Sequence, residues 1–95
     1  MSSVRDRILD DSPEDTFLFM DGEEFDAAIV GVAWACWGDT GERVTKIVYD
    51  WQKVIDVNMQ EGMTYDEAVE FFDFNQGGAY VGKQTPIFVH RVGVV

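Results

Sequence analysis

Basic residues are scarce in this sequence: seven Lys and Arg stand against eighteen Asp and Glu, a formal net charge of −11 in 95 residues. That deficit argues against direct binding of DNA, RNA or an anionic membrane surface, because such partners reward cations that neutralise phosphates. The single cysteine, Cys36, excludes an internal disulfide. It lies in the apolar stretch Ala33-Trp34-Ala35-Cys36-Trp37 and reads as a small buried hydrophobe rather than a reactive thiol. The single histidine, His90, excludes a His/Cys zinc cluster, and a Ser-His-Asp or Cys-His nucleophilic set would rest wholly on it. It reads as a strand-face histidine with no metal role. No apolar run approaches the roughly 18 residues of a membrane span, and no basic-then-apolar leader is visible. A soluble protein of the cytoplasm is the expectation.

Aromatic side chains are plentiful: three Trp, three Tyr and seven Phe, in a chain that is 46% hydrophobic. An acidic disordered tail would be poor in such residues, whereas here they are interleaved with the acids. The composition therefore points to one folded domain, 1–95, with a charged skin. Nine of the eighteen acids lie between Asp6 and Asp26, where Arg7 is the only base. Residues 1–15 read as a polar, partly mobile acidic lead-in, with Ser12-Pro13-Glu14-Asp15 a turn or helix start. The apolar run 16–20, closed by Asp21-Gly22, fits a strand ending in a turn.

The segment 25–37 admits two readings, a buried Ala-rich helix or a central strand. The β-branched Ile29, Val30 and Val32, together with Gly31, favour the strand, and the polar loop 38–42 leads into Val44-Thr-Lys-Ile-Val-Tyr49, which alternates as a strand does. The expectation is a long hairpin, 27–37 with 44–50. After Tyr49 the period becomes helical. Trp51, Val54, Ile55, Asn58 and Met59 share one face of a helix over 51–61, with Asp50 placed to cap its start and Gly62 its end. A second helix over 65–76 follows. Its start, Thr64-Tyr-Asp-Glu67, has the form of a capping box, and Gly77-Gly78 is placed to end or bend it. Pro86 opens a final apolar run, 85–91, that reads as a strand. The fold class expected is α+β, a small antiparallel sheet of about four strands packed against two consecutive helices.

No catalytic or cofactor motif accompanies the charge. Asp39-Thr40-Gly41 matches the tripeptide of aspartic proteases, whose chemistry needs two carboxylates sharing one proton, but Asp, Thr and Gly are ordinary turn residues and the turn reading is preferred. Asp21-Gly-Glu-Glu-Phe-Asp26 lacks the alternating ligands and the sixth-position glycine of an EF-hand loop. Neither Gly77-Gly78 nor Gly82-Lys83 has the spacing of a phosphate loop. The chain is read as a non-enzyme needing no cofactor and no metal. Two surfaces are candidates for partner binding. One is the acidic turn with Asp21, Glu23, Glu24 and Asp26. The other is the second helix, where Asp66, Glu70 and Asp73 share a face and Phe71 and Phe74 fall outside the main stripe of Tyr65, Ala68, Val69 and Phe72. Packing of those two rings between the sheet and the neighbouring helix is the alternative.

The elements Tyr49-Asp50, Ile55, Met59, Gly62-Met63-Thr64-Tyr65-Asp66-Glu67-Ala68, Glu70-Phe71-Phe72, Phe74-Asn75, Gly78-Ala79-Tyr80-Val81-Gly82 and Thr85-Pro86-Ile87-Phe88, with Asp21-Gly22 and Ala28-Ile29-Val30-Gly31 in the earlier part, resemble a group of small hypothetical proteins encoded by bacteriophages and prophages, over roughly residues 19 to 89. Gln76-Gly77 departs from the more apolar pair expected before Gly78. The resemblance brings no activity and no site residues; it implies a phage or prophage origin and the cytoplasm of an infected bacterium. Charge, size and that origin together suggest a binding module for a protein with a basic surface, such as a host defence or nucleic-acid-handling complex whose DNA site it could mimic and occupy. A structural or accessory phage protein whose acidity serves solubility is the alternative, and a homodimer is left open.

Overall fold

The computed structural model describes residues 4–11, 17–37, 41–77, 82 and 84–92. The elements run α1 (Val4–Asp11), a 3₁₀ segment (Glu23–Ala28), β1 (Ile29–Trp37), β2 (Glu42–Asp50), α2 (Trp51–Gln60), α3 (Tyr65–Phe71), a π-helical turn (Phe72–Gln76) and β3 (Ile87–Val89). The fold is α+β. The expected turns at Ser12-Pro13 and Asp39-Thr40, and the Gly78-to-Tyr80 region, lie outside the described residues.

β1 and β2 form the expected hairpin, antiparallel from Ile29↔Tyr49 to Trp37↔Glu42 with an irregularity between Ile29 and Gly31. Two features of the sheet differ from the sequence reading. Among the described residues it has three strands, in the order β1-β2-β3, and β3 pairs with β2 in parallel (Val48↔Ile87, Tyr49↔Phe88, Asp50↔Val89), so the sheet is mixed. Helices rather than a tight turn join β2 to β3, and a crossover of that kind is what parallel pairing requires. Of the run 16–20, expected as a strand, residues 17–20 have no regular structure, and Thr16 lies outside the described residues. Their apolar run signals burial rather than extension. Phe17, Phe19 and Met20 pack against the core, and the Met20 amide donates to the Tyr49 hydroxyl, 2.8 Å away, instead of to a neighbouring strand.

Asp50 ends β2 and caps α2. Its Oδ1 accepts from the amides of Gln52 (3.0 Å) and Lys53 (3.4 Å), while Oδ2 meets Arg91 Nε at 2.9 Å just after β3. One buried carboxylate thus satisfies two amides that a helix start leaves unpaired and ties β3 to that same point. Gly62, at φ +108, follows the end of α2 as expected. The Thr64–Glu67 capping box is present in both directions, at 3.2 and 2.9 Å. Tyr49, Ile47, Ile55, Val54 and Asn58 are the largest fully buried side chains, and Phe25, Ala28, Val57, Ala68 and Phe72 join the same core. Phe72 meets Trp51 and Phe88 edge-on, and Phe88 stacks on Tyr49.

Three further positions depart from expectation. Val4–Asp11, read as a lead-in, is a helix whose Ile8 packs on the core. Cys36, expected to be buried, is exposed, and so are Val32 and Trp34 at alternate positions of the same strand. Met59, placed on the inner stripe of α2, is exposed at 39%, and Val57 is buried in its stead.

Candidate functional site

The α2–α3 pair and the chain segment 19–25 enclose an open groove of about 650 Å³. Its apolar wall comes from Phe19, Met20 and Phe25 on one side, Met63 and Phe71 on the other, and Phe88 and Pro86 from the strand end. Carboxylates mark the lining at Asp21, Glu24 and Glu61, and no Lys, Arg or His is among the described residues that line it. The polar remainder is carboxamide: Asn58, Asn75 and Gln76.

Each wall has a local cause. Gly22, at φ +111, makes the turn that the 3₁₀ segment continues, and a Cβ there would lie 2.6 Å from Glu24 Oε1, so the Glu24 side chain folds back over a residue that must be glycine. Beyond Phe71 the helix widens. The Gly77 amide donates to the Phe72 carbonyl at 2.7 Å, the i→i+5 bond of a π turn, and such turns recur at functional sites. The Phe72 ring lies where a Cβ on Gly77 would project, so it is packing that demands this glycine. Asn58 Nδ2 donates to Gln76 Oε1 (2.9 Å) and to the Ala68 carbonyl (3.4 Å), and Gln76 Nε2 donates back to Asn58 Oδ1 (3.3 Å). Asn58 is 2% exposed, so this amide pair fastens the π turn to α2 in a place where an unpaired amide would be costly.

The nine candidate residues divide. Asp21, Glu24 and Phe71, drawn from the two surfaces that the sequence kept separate, line one groove. Glu23, Asp66, Glu70, Asp73 and Phe74 are exposed and are not part of its lining, with Phe74 at 77%. Neither Phe71 nor Phe74 is wedged in the core. Asp26 is engaged within the fold instead. Arg5 reaches it through Nη2 at 2.8 Å and Nε at 3.2 Å, and the Arg5 guanidinium also lies 4.3 Å over the Phe19 ring. The Asp26 hydrogen bond raises the Arg5 pKa further above its ordinary value. That carboxylate pins α1 to the turn. Phe19, Met20, Phe25, Met63 and Phe88 were missed as site residues, since each looks like core in its own segment and only the assembly leaves one side of them open. The charged neighbours of Met63 and Phe25, at Glu61 and Glu24, were the one signal that could have found them.

His90 stands just after β3 with its ring centroid 4.6 Å from that of Trp51. Among the described residues no group of three or more His, Cys, Asp or Glu is arranged to hold a metal ion, and no helix is long and apolar enough to cross a membrane. No protein-family model, curated protein or solved structure matches the chain.

Proposed function

We propose that this chain is a small acidic protein-binding module that receives, in the groove between residues 19–25 and the α2–α3 pair, a basic segment carrying an apolar anchor. The observation that carries this reading is the coexistence in one groove of an aromatic and methionine wall with Asp21, Glu24 and Glu61 and no base among the described lining residues. Aromatic and Met side chains accept an apolar anchor adaptably, while carboxylates beside them select for Lys and Arg and speed encounter through the field of a chain at −11. The volume is that of a site which encloses a few side chains rather than a whole element. The module acts stoichiometrically and without catalysis, by occupying a basic surface of a host or phage protein such as the nucleic-acid site of a defence or replication complex. A phage or prophage origin, and the cytoplasm of an infected bacterium, rest on the resemblance of residues 19 to 89 alone.

The competing reading, a phage accessory protein whose acidity serves solubility, is favoured by Asp66, Glu70 and Asp73, which are exposed outside the groove. Retention of basic nucleic-acid-binding proteins from a bacterial lysate on immobilised chain separates the two. The groove reading expects salt-sensitive retention that is lost with Asp21→Asn/Glu24→Gln/Glu61→Gln and, separately, with Phe71→Ser. Equal retention and equal salt dependence for all three proteins would discard it.

A further inference from the structure

The groove wall made by residues 19–25 belongs to no strand, so something other than a ladder must hold its shape. Phe19 opens the wall, and Asp26 follows directly on its last lining residue, Phe25. Arg5 of α1 reaches both ends. Its guanidinium carbon lies 4.3 Å from the centre of the Phe19 ring, and its nitrogens meet the Asp26 carboxylate at 2.8 and 3.2 Å. The chain between these two contacts is thereby closed into a loop from outside, by a cation on a ring at one end and a two-point ion pair at the other. The Arg5 and Asp26 side chains are 29% and 17% exposed, sheltered enough for the pair to be screened less than one in open water. Inside the loop the Phe25 amide donates to the Gly22 carbonyl at 3.3 Å and the Met20 amide to the Tyr49 hydroxyl at 2.8 Å. Neither of those bonds joins the two ends. The helix that brings Arg5 is lightly held: it has eight residues, none of them buried, and only Arg5 and Ile8 are less than exposed. So short a helix is marginal by itself, and an element with few buried contacts opens locally before the rest of the fold.

From this we infer that α1 sets the affinity of the groove. Docked, it clamps the wall through Arg5 in the shape that receives a basic segment with an apolar anchor; undocked, it frees the wall and affinity falls. The inference rests on the groove reading above and adds to it the element that controls the site from outside. Arg5 is not among the described residues that line the groove, so it acts through Phe19 and Asp26, as a positioning residue. Coupling of this kind is reciprocal: a ligand in the groove favours docked α1 by the same factor by which docked α1 favours the ligand. Two simpler roles for Arg5 predict the opposite. If it only competed with a basic ligand for Asp26 and Phe19, or only weakened the negative field of the chain, its removal would tighten binding.

Titration calorimetry of the full chain with the blocked peptide acetyl-Lys-Arg-Leu-Arg-Lys-amide tests this, with hydrogen exchange of the Val4–Asp11 amides followed in parallel. Arg5→Met and Asp26→Asn change the net charge in opposite directions, and the double variant leaves it as it is. All three are expected to raise the dissociation constant about fivefold or more, because each breaks the same clamp. In the wild type, saturating peptide is expected to slow exchange of the α1 amides, and in Arg5→Met that slowing is expected to vanish. Should Arg5→Met fail to fold, wild-type exchange with and without peptide still decides the matter. Binding that Arg5→Met tightens or leaves unchanged, or α1 exchange that saturating peptide does not slow in the wild type, overturns the clamp and leaves the groove reading standing. A wild type that does not bind the peptide, or binds it equally after Phe71→Ser, overturns the groove reading and the clamp with it.

Discussion

Arg5 grips Asp26 through both a terminal and an internal guanidinium nitrogen, at 2.8 and 3.2 Å, and so removes from the acidic turn one of the four carboxylates that the sequence offered as a contact surface. The remaining three are exposed. The turn therefore has one acid held within the fold and three exposed ones, and substitution distinguishes them.

Asp26→Asn is expected to cost about 1 kcal/mol, the scale of a partly exposed ion pair, and to release α1 from the turn. Hydrogen exchange of the amides of Val4–Asp11 should accelerate in this variant. Asp21→Asn and Glu24→Gln should neither speed exchange nor lower the melting temperature, because both side chains are exposed and loss of one of several like charges only relieves repulsion. Equal acceleration of α1 exchange in all three variants would contradict the assignment.

Tyr49 is fully buried, and its hydroxyl serves the Met20 amide at 2.8 Å. Tyr49→Phe should cost about 1–3 kcal/mol, since it leaves that amide without its partner. Burial raises the Tyr49 pKa above its usual value near 10.0, with the Met20 hydrogen bond opposing. The folded state then holds the phenolic proton when the unfolded chain has released it. Stability is thus intact below about pH 10 and falls as pH climbs through the interval up to the folded pKa. Chemical denaturation at graded alkaline pH should show that fall in the wild type and a shallower one in Tyr49→Phe.

Thr64→Ala should lose about 0.5–2 kcal/mol, the range for removal of an N-cap side chain. In the wild type the Thr64 backbone and side-chain hydrogen bonds hold the Glu67 pKa below its ordinary value. Its contribution is therefore present above about pH 4.3 and is lost as acid protonates the folded carboxylate. A melting midpoint that Thr64→Ala does not move would show that the box does not stabilise α3.

Phe71 and Phe72 are adjacent and should behave oppositely. Phe72, 7% exposed and in edge contact with Trp51 and Phe88, should cost about 3–5 kcal/mol on truncation to Ala. Phe71→Ser should spare the fold and cost partner affinity. Gly77→Ala belongs with Phe72. Its helical φ of −72° would favour alanine, but the added Cβ meets the Phe72 ring, so the melting temperature should drop rather than rise. A more stable Gly77→Ala variant would place that ring elsewhere.

Much of the local structure was legible because its causes are local. The Thr64–Glu67 box, the Asp50 cap, the Gly62 stop, the β1–β2 hairpin and the α2 and α3 periods each depend on residues within a turn or two of one another, where spacing and backbone preference suffice. Asp21-Gly22 was legible as a turn for the same reason. What the sequence left open was where each segment comes to rest. Phe17, Phe19 and Met20 have the composition of a strand, yet the Tyr49 hydroxyl and the core take them without a ladder. The direction of β3 depends on how the helical crossover returns, and the exposure of Cys36 and Trp34 on what comes to rest against their face of β1. The groove is the clearest case: Asp21 and Glu24, Glu61 and Met63, Phe71, and Phe88 are distant in the chain, and only packing brings them to one opening. Spacing along a chain encodes interactions of short range, and burial, pairing direction and concavity are properties of surfaces that exist only once the chain has closed on itself.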